Sequence, residues 1–396
     1  MQLADLDFLV SARGQALLTE LAQADLSDAA QLPLLTRLRK AYTPAESAAA
    51  LELVRLRQRA RDKFGPQADS LYFTAAALEQ ASHPLTRAWR AQAWAGAQVI
   101  DVGCGIGADS LAFAQAGAHV LGLDIDDLRL AMARLNAQAV SLPAHFERQD
   151  ARAWQPASAD LIFYDPARRS AQGRRLRHVE AYEPPLNLVE VWAGRARVQA
   201  KLAPGLDLSQ IEALGGGLSF LAVGEDLKEA LWDSQPDWAT RDRDRRAVLL
   251  RPDGALTWSR LAHEPEPPAR LSAPRAWLIE PNAALLRAGL VRHAALAWDA
   301  ALLDETIAYL TSDSPPDTPW ARAWRVQAWL PFQLKRLRAA LRERGVGRLT
   351  VKKRGSPITP EALMTQLRLK GDQAATVVLT RLQGQPIALI CDEQPA

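Results

Sequence analysis

Cysteine is nearly missing from this chain of 396 residues: only Cys104 and Cys391 are present. A disulfide framework is excluded, and the low count fits a cytoplasmic protein. Apolar runs stop far short of about 18 residues, so no membrane-spanning helix is expected. Met1 to Ala22 carries Asp5, Asp7 and Glu20 and lacks a basic stretch leading into an apolar core, so no secretory signal is read there. The histidines, His83, His119, His145, His178, His263 and His293, lack cysteine or carboxylate partners at ligand spacing, and no metal site is expected. No P-loop and no serine nucleophile elbow occurs. What is present is ordinary globular composition, 48% hydrophobic and 23% charged, which excludes a disordered or collagen-like chain. At about 150 residues per domain the length favours two or three domains.

Acidic residues are scarce in two places. From Arg322 to Arg354 eleven Lys/Arg stand against one acid, Glu343, a segment charge of +10 in a chain of net +3, so the remainder is −7. Such segregation presents a basic face to a polyanion. Pro166 to Val179 also lacks acids, while Arg168, Arg169, Arg174, Arg175 and Arg177 crowd it. That loop is expected to face the same polyanion. Trp320, Trp324 and Trp329 lie among the cations. Packing is their expected role, with base stacking the alternative.

The first ninety residues read as helical. Thr43-Pro44-Ala45-Glu46 is a capping box opening a helix that runs to Phe64 and stops at Gly65-Pro66. From about Gln98 short apolar runs alternate with helical stretches. Val99–Val102, His119–Leu123 and Leu161–Tyr164 read as strands, with helices at Ala108–Ala116 and Asp126–Gln138. Leu218–Val223 and Arg246–Leu250 are expected as late strands. This alternation implies a doubly wound parallel sheet that binds ligands at the carboxyl ends of its strands. The boundaries read as a helical region 1–90, a sheet domain 91–262, a linker and helical connector 263–320, and a basic α+β domain 321–396. Pro281 to Leu310 and Trp320 to Arg344 are expected to be helical, Arg348–Lys353 a strand. Thr359-Pro360-Glu361 opens a helix, and a closing hairpin is built from Val377–Thr380 and Ile387–Ile390.

Chemistry concentrates in Asp101-Val102-Gly103-Cys104-Gly105-Ile106-Gly107. Glycines at 103, 105 and 107 allow a tight turn and close approach of backbone to a ligand. Alone they also match a dinucleotide fingerprint. A pyrophosphate, however, disfavours the carboxylate of Asp101 beside it. Asp101 suits a cationic amino group, Asp124 a pair of ribose hydroxyls, and Asp150 an adenine amine, with Ile125 and Ala151 adjoining. Together they describe S-adenosylmethionine rather than a nicotinamide cofactor or an empty turn. Asp165-Pro166 follows the fourth strand, where a carboxylate would stand beside the reactive methyl and Pro166 would stiffen the loop. Amine methyltransferases place an Asp/Asn-Pro-Pro-aromatic loop here. This chain has Ala167 for the second proline and Arg168 for the aromatic, where an arginine can stack on a base or hold a phosphate. Cys104 and Cys391 are not placed to attack a base.

These residues resemble the class I S-adenosylmethionine-dependent methyltransferases. More narrowly, Leu71-Tyr72-Phe73-Thr74, Asp165-Pro166-Ala167-Arg168-Arg169, Pro331-Phe332-Gln333-Leu334-Lys335 and Gly347 to Gly355 resemble the bacterial members with a C-terminal THUMP-like domain. The resemblance implies an α/β fold: a Rossmann-like methyltransferase sheet with an N-terminal helical region and a small C-terminal α+β THUMP-like domain. It also implies RNA, tRNA or rRNA, as partner. The expected activity is methylation of structured RNA at a base nitrogen. Catalytic roles fall to Asp165, Pro166 and Arg168, with Arg169, Arg174, Arg175, Lys335, Arg338, Lys352, Lys353 and Arg354 on the nucleic acid. A small-molecule methyltransferase with a structural tail, or a non-catalytic RNA-binding protein, remain the alternatives.

Overall fold

Gln98-Val99-Ile100-Asp101-Val102 is β-prone at its centre and is stopped by glycine; it forms β1 (Gln98–Val102). Similar short runs form β2 (His119–Asp124), β3 (Ala144–Arg148), β4 (Leu161–Tyr164) and β5 (Arg197–Leu202). β1 is parallel to β2 and to β4, β2 to β3, and β4 to β5. With β6 (Gly217–Val223), β7 (Asp226–Asp233), β8 (Arg245–Arg251) and β9 (Gly254–Arg260) they make a nine-stranded sheet. Its order is β3-β2-β1-β4-β5-β7-β6-β8-β9, and β7 is antiparallel to β5. Strand order reverses between β1 and β4, which is where an open sheet of this kind receives ligands. This is a computed structural model, and it describes all residues except Ala157, 168–177, 238–243, 261–263 and Ala396.

The chain divides into two compact units, Met1–Gly217 with Lys228–Ala239 and Leu250–Ala255, and Leu218–Leu227 with Thr240–Leu249 and Leu256–Ala396. In the first, the expected helical start is present: Leu3–Val10, Ala12–Ala22, Asp28–Leu38, Pro44–Phe64, Ala75–Gln80 and Pro84–Ala91. The Thr43 capping box forms, with Thr43 Oγ1 accepting from Glu46 N at 3.2 Å and Glu46 Oε2 accepting from Thr43 N at 2.7 Å. The core under these helices, with Leu9, Leu17, Leu21 and Leu53 fully buried, takes in Ile106 and Met132 from the sheet region. Asn136 joins the same parts. Its side chain accepts from Tyr72 N at 2.7 Å and donates to Ile106 O at 3.0 Å.

The second unit holds a seven-stranded sheet: β10 (Trp277–Pro281), β11 (Ala301–Asp304), β12 (Ile307–Ser312), β13 (Ala321–Pro331), β14 (Val346–Lys353), β15 (Gln373–Leu382) and β16 (Gln385–Cys391). Their order is β11-β12-β10-β13-β16-β15-β14. Helices Leu334–Glu343 and Pro360–Leu367 cover one face through Leu337, Leu341, Leu363 and Leu367. The closing hairpin, β15 with β16, forms as expected.

Two expectations are corrected here. Trp320 to Arg344 is not one helical stretch: β13 occupies its first half. Alanine and arginine favour a helix, but Trp324 and Val326 recur at spacing two, and burial alternates along the strand. Nor is 263–320 a helical connector. Helix Ala283–Ala288 ends at Gly289, with φ +75°, and helix Val291–Ala297 is followed by Asp299 at φ +47°. Beyond them β11 and β12 pair antiparallel, and β10 pairs with β13.

Candidate active site

The glycine loop leaves β1 with Gly103, Gly105 and Gly107 at φ +79°, +56° and +83°. Only glycine takes this backbone cheaply at three positions in five. Gly103 N and Cys104 N donate to Leu123 O at 2.8 and 3.0 Å, so the loop folds back over β2. Asp124 then staples it. Its Oδ2 accepts from Gly105 N at 2.9 Å and its Oδ1 from Asp126 N at 3.0 Å. Ile125, beside it, is 52% exposed, an uncovered apolar side chain at the carboxyl edge. Gly107 caps helix Ala108–Gln115, whose N-terminus faces the same edge.

Asp101 is 1% exposed. One oxygen, Oδ2, accepts from Ser110 Oγ at 2.5 Å; the other, Oδ1, is buried with no hydrogen-bond partner. Burial, and then the nearby Asp109 charge, pushes this carboxyl up to about 8. An orphaned buried carboxylate oxygen is the mark of a site built for a donor it does not hold.

Asp165 follows β4 with its side chain 23% exposed. Its main chain adjoins the glycine loop: a Cβ on Gly103 would lie 3.0 Å from Asp165 O. Lys201 Nζ donates to Asp165 Oδ2 at 2.5 Å. Pro166 is buried, and Ala167 pairs with Glu183 as a short bridge. Arg168, Arg169, Arg174 and Arg175 lie outside the described residues.

Behind these groups sits an ionic cluster. Arg90, fully buried, pairs with Asp109 and with Glu229 on β7. Ser82 Oγ donates to Asp109 Oδ2 at 2.8 Å. Burial opposes the Asp109 charge, but Arg90 and then Lys201 outweigh it and hold the carboxyl at about 2. The Arg90 guanidinium also stacks over Phe163 at 4.8 Å.

The structure thus brings Asp101, Gly103, Gly105, Gly107, Asp124, Ile125 and Asp165 to adjacent strand ends. Asp150 stands just beyond β3. Its carboxylate is 41% exposed and accepts from Arg152 N at 3.0 Å, and Ala151 beside it is buried. Lys201, Arg90, Glu229 and Ser110 were not anticipated. A lysine among the alternating apolar and polar residues Val198-Gln199-Ala200-Lys201-Leu202 was the one signal for Lys201.

In the second unit the anticipated nucleic-acid residues separate. Lys352 and Arg354, with Arg322, converge on Glu280 at 2.7, 3.5 and 2.8 Å. Lys352 also lies over the Trp324 ring at 4.5 Å. Arg338 is half-buried and donates to Gln366 O at 2.5 Å. Lys335 and Lys353 are exposed.

Comparison with known proteins agrees with this architecture. Residues 99–169 match the methyltransferase domain family, 321–393 the THUMP domain-like family, and 2–60 a domain of unknown function. A Mycobacterium tuberculosis protein described as an uncharacterized S-adenosylmethionine-dependent methyltransferase is 34% identical over 342 residues, covering 84% of this chain and 92% of that one. A Listeria monocytogenes protein described as an uncharacterized RNA methyltransferase is 37% identical over 93 residues, 22% of this chain. A Porphyromonas gingivalis W83 protein designated a methyltransferase shares the fold at a TM-score of 0.75 and 21% identity, covering 89% of this chain and 92% of that one. The fold, the glycine loop and the carboxylates at the strand ends define a Rossmann-like transferase. The chain belongs to the S-adenosylmethionine-dependent methyltransferases. The donor set fits that cofactor: the orphaned Asp101 oxygen can take its amino group, Asp124 its ribose, and Ile125 its adenine face. Bound there, the cofactor supplies an electrophilic methyl.

Proposed function

We propose that this enzyme methylates structured RNA, tRNA or rRNA, at an exocyclic base nitrogen. The observation that carries the reading is Asp165, a partly exposed carboxylate whose main chain abuts the cofactor loop. The oxygen that Lys201 does not hold accepts an amine N–H and turns the nitrogen lone pair toward the methyl position, so alignment supplies most of the rate. Pro166 holds the loop still. The proton displaced on methylation leaves to solvent. Arg168 is proposed to stack on the base, with Arg169, Arg174 and Arg175 on phosphates. The RNA partner is supported by exposed cations of the second unit, namely Arg325, Lys335, Arg336, Arg342, Arg344, Arg348 and Lys353, and by the THUMP domain-like match. The Glu280 cluster favours a second reading for part of the tail: Lys352 and Arg354 act within the fold rather than on RNA. A cytoplasmic location goes with this function.

Asp101 is proposed to bind the cofactor's amino group, and that has a pH consequence. The free site holds Asp101 protonated below about 8, while an α-amino group is itself protonated below about 7.7–8.0. Binding the cation therefore releases the Asp101 proton. From pH 6 to 7.5 cofactor affinity should rise, approaching about tenfold per pH unit, by linkage of the same form as for folding. Calorimetry in buffers of different ionisation enthalpy measures the proton released; a flat affinity with no proton release would reject the assignment.

The function is tested with methyl-labelled cofactor and total RNA from cells lacking the gene, at low salt. Label should enter a discrete RNA and, after digestion, a base. Asp165→Ala should lower it about 10- to 100-fold, the worth of a hydrogen bond to a charged group at roughly 1.5–3 kcal/mol. Label in ribose or in a small molecule would replace this reading.

A further inference from the structure

We infer that Lys201 is a positioning residue for Asp165: it pins one carboxylate oxygen and so sets the single direction from which the acceptor nitrogen is received. The inference rests on the reading of Asp165 above.

Register brings the two together. β4 and β5 are parallel with Tyr164 opposite Ala200, so the next residues, Asp165 and Lys201, are neighbours. Lys201 lies between Ala200 and Leu202, both fully buried, and its own side chain is 3% exposed. A desolvated ammonium is costly and persists only with a partner. Its one hydrogen bond among the described residues is to Asp165 Oδ2. Asp165 Oδ1 has no partner among the described residues. One oxygen is therefore fixed from inside the sheet, and the other is the acceptor offered outward. Without Lys201 the carboxylate could rotate about its own axis and offer either oxygen in several directions.

The surrounding charges make this pinning matter. Asp101 on β1 and Arg90 from helix Pro84–Ala91 both feel the Asp165 charge, as does the Tyr164 hydroxyl. Lys201 in turn acts on Asp109, at the start of helix Ala108–Gln115, and on Lys63 of helix Pro44–Phe64. Asp101 thus feels two carboxylates, Asp109 and Asp165. Arg90 is already committed to Asp109 and Glu229. Among the described residues Lys201 is the cation left for Asp165.

The experiment compares Lys201→Met and Lys201→Arg with the full-length enzyme, alone and combined with Asp165→Asn. Lys201→Met should lower kcat about 10- to 100-fold, in keeping with the cost of misplacing a reacting group. Cofactor Kd should stay within about threefold, so that the loss falls on kcat and not on cofactor binding. Lys201→Arg should restore part of kcat. In the Asp165→Asn background Lys201→Met should cost little. Should Lys201→Met fail to fold, Lys201→Gln carries the same comparison. The carbon-13 carboxyl resonance of Asp165 at one fixed pH, in the cofactor-free protein, reads the pairing without any substrate, and should change in Lys201→Met but stay near wild type in Lys201→Arg. An unmoved Asp165 carboxyl resonance, or an equal loss in the Asp165→Asn background, would overturn the role of Lys201. A wild-type enzyme that binds cofactor but labels no RNA base would overturn the substrate reading instead, while the carboxyl resonance still decides on Lys201.

Discussion

Replacing Arg90 with alanine is expected to destabilise the cofactor-binding unit by about 3–5 kcal/mol, the cost of stranding buried charges by removing their partner. Arg90 has no exposed side-chain surface, and both its acids, Asp109 and Glu229, are almost as deeply buried. Neither carboxylate has water to turn to once the guanidinium is gone. The loss also reaches the site, because Asp109 raises the Asp101 carboxyl and Arg90 opposes it. Urea unfolding followed by tryptophan fluorescence gives the free energy. Combining Arg90→Met with Asp109→Asn and Glu229→Gln should recover much of it, since an apolar or neutral replacement of a whole buried cluster is often nearly neutral. A loss under about 1 kcal/mol for Arg90→Ala would mean that the cluster is hydrated and that its burial has been overrated.

Gly103→Val is the second large effect, and it falls on binding rather than folding. A valine there must adopt φ +79° and place its Cβ 3.0 Å from Asp165 O. The left-handed backbone alone costs roughly 1–2 kcal/mol, and relief of the contact must push Asp165 away from the glycine loop. Asp165 must give by a few tenths of an ångström, and cofactor affinity should fall by up to about a hundredfold, the loss that a full 1 Å misplacement can cost at such a site. Gly105→Ala is the control. Its backbone is also left-handed, but a Cβ there meets nothing within 4 Å. Equal losses at both positions, measured by calorimetry, would show that backbone strain decides and that the approach of Asp165 does not.

The cofactor half was legible because its signals are local. An apolar run, a carboxylate, three glycines and a helix follow one another from Gln98 to Gln115, and each residue acts on its near neighbours. The same holds for Thr43 and its capping box. Arg90 left no such trace. Its partners lie 19 and 139 residues away, and nothing in the stretch around it marks an arginine bound for the interior. Lys201 falls on the polar positions of an alternating strand, Arg197, Gln199 and Lys201, and its meaning needed the register that sets it beside Asp165. The tail misled in a different way. Alanine and arginine between Ala321 and Pro331 prefer helix, yet tertiary pairing of β13 with β10 and β16 overrides propensity. Lys352 and Arg354, expected on phosphates, lie against Glu280, a carboxylate more than seventy residues earlier that no local pattern ties to them.

The shared core of Leu9, Leu53, Ile106 and Met132 has a consequence for how the protein is made. The N-terminal helices leave the ribosome first, yet the apolar surface they present is completed by residues that emerge much later. At roughly 5–20 residues per second, the interval between Ala60 and Met132 is on the order of ten seconds. During that time the nascent helices carry an unfinished hydrophobic face. The segment that closes it is the same one that carries the glycine loop, so the N-terminal helices and that loop depend on each other to settle.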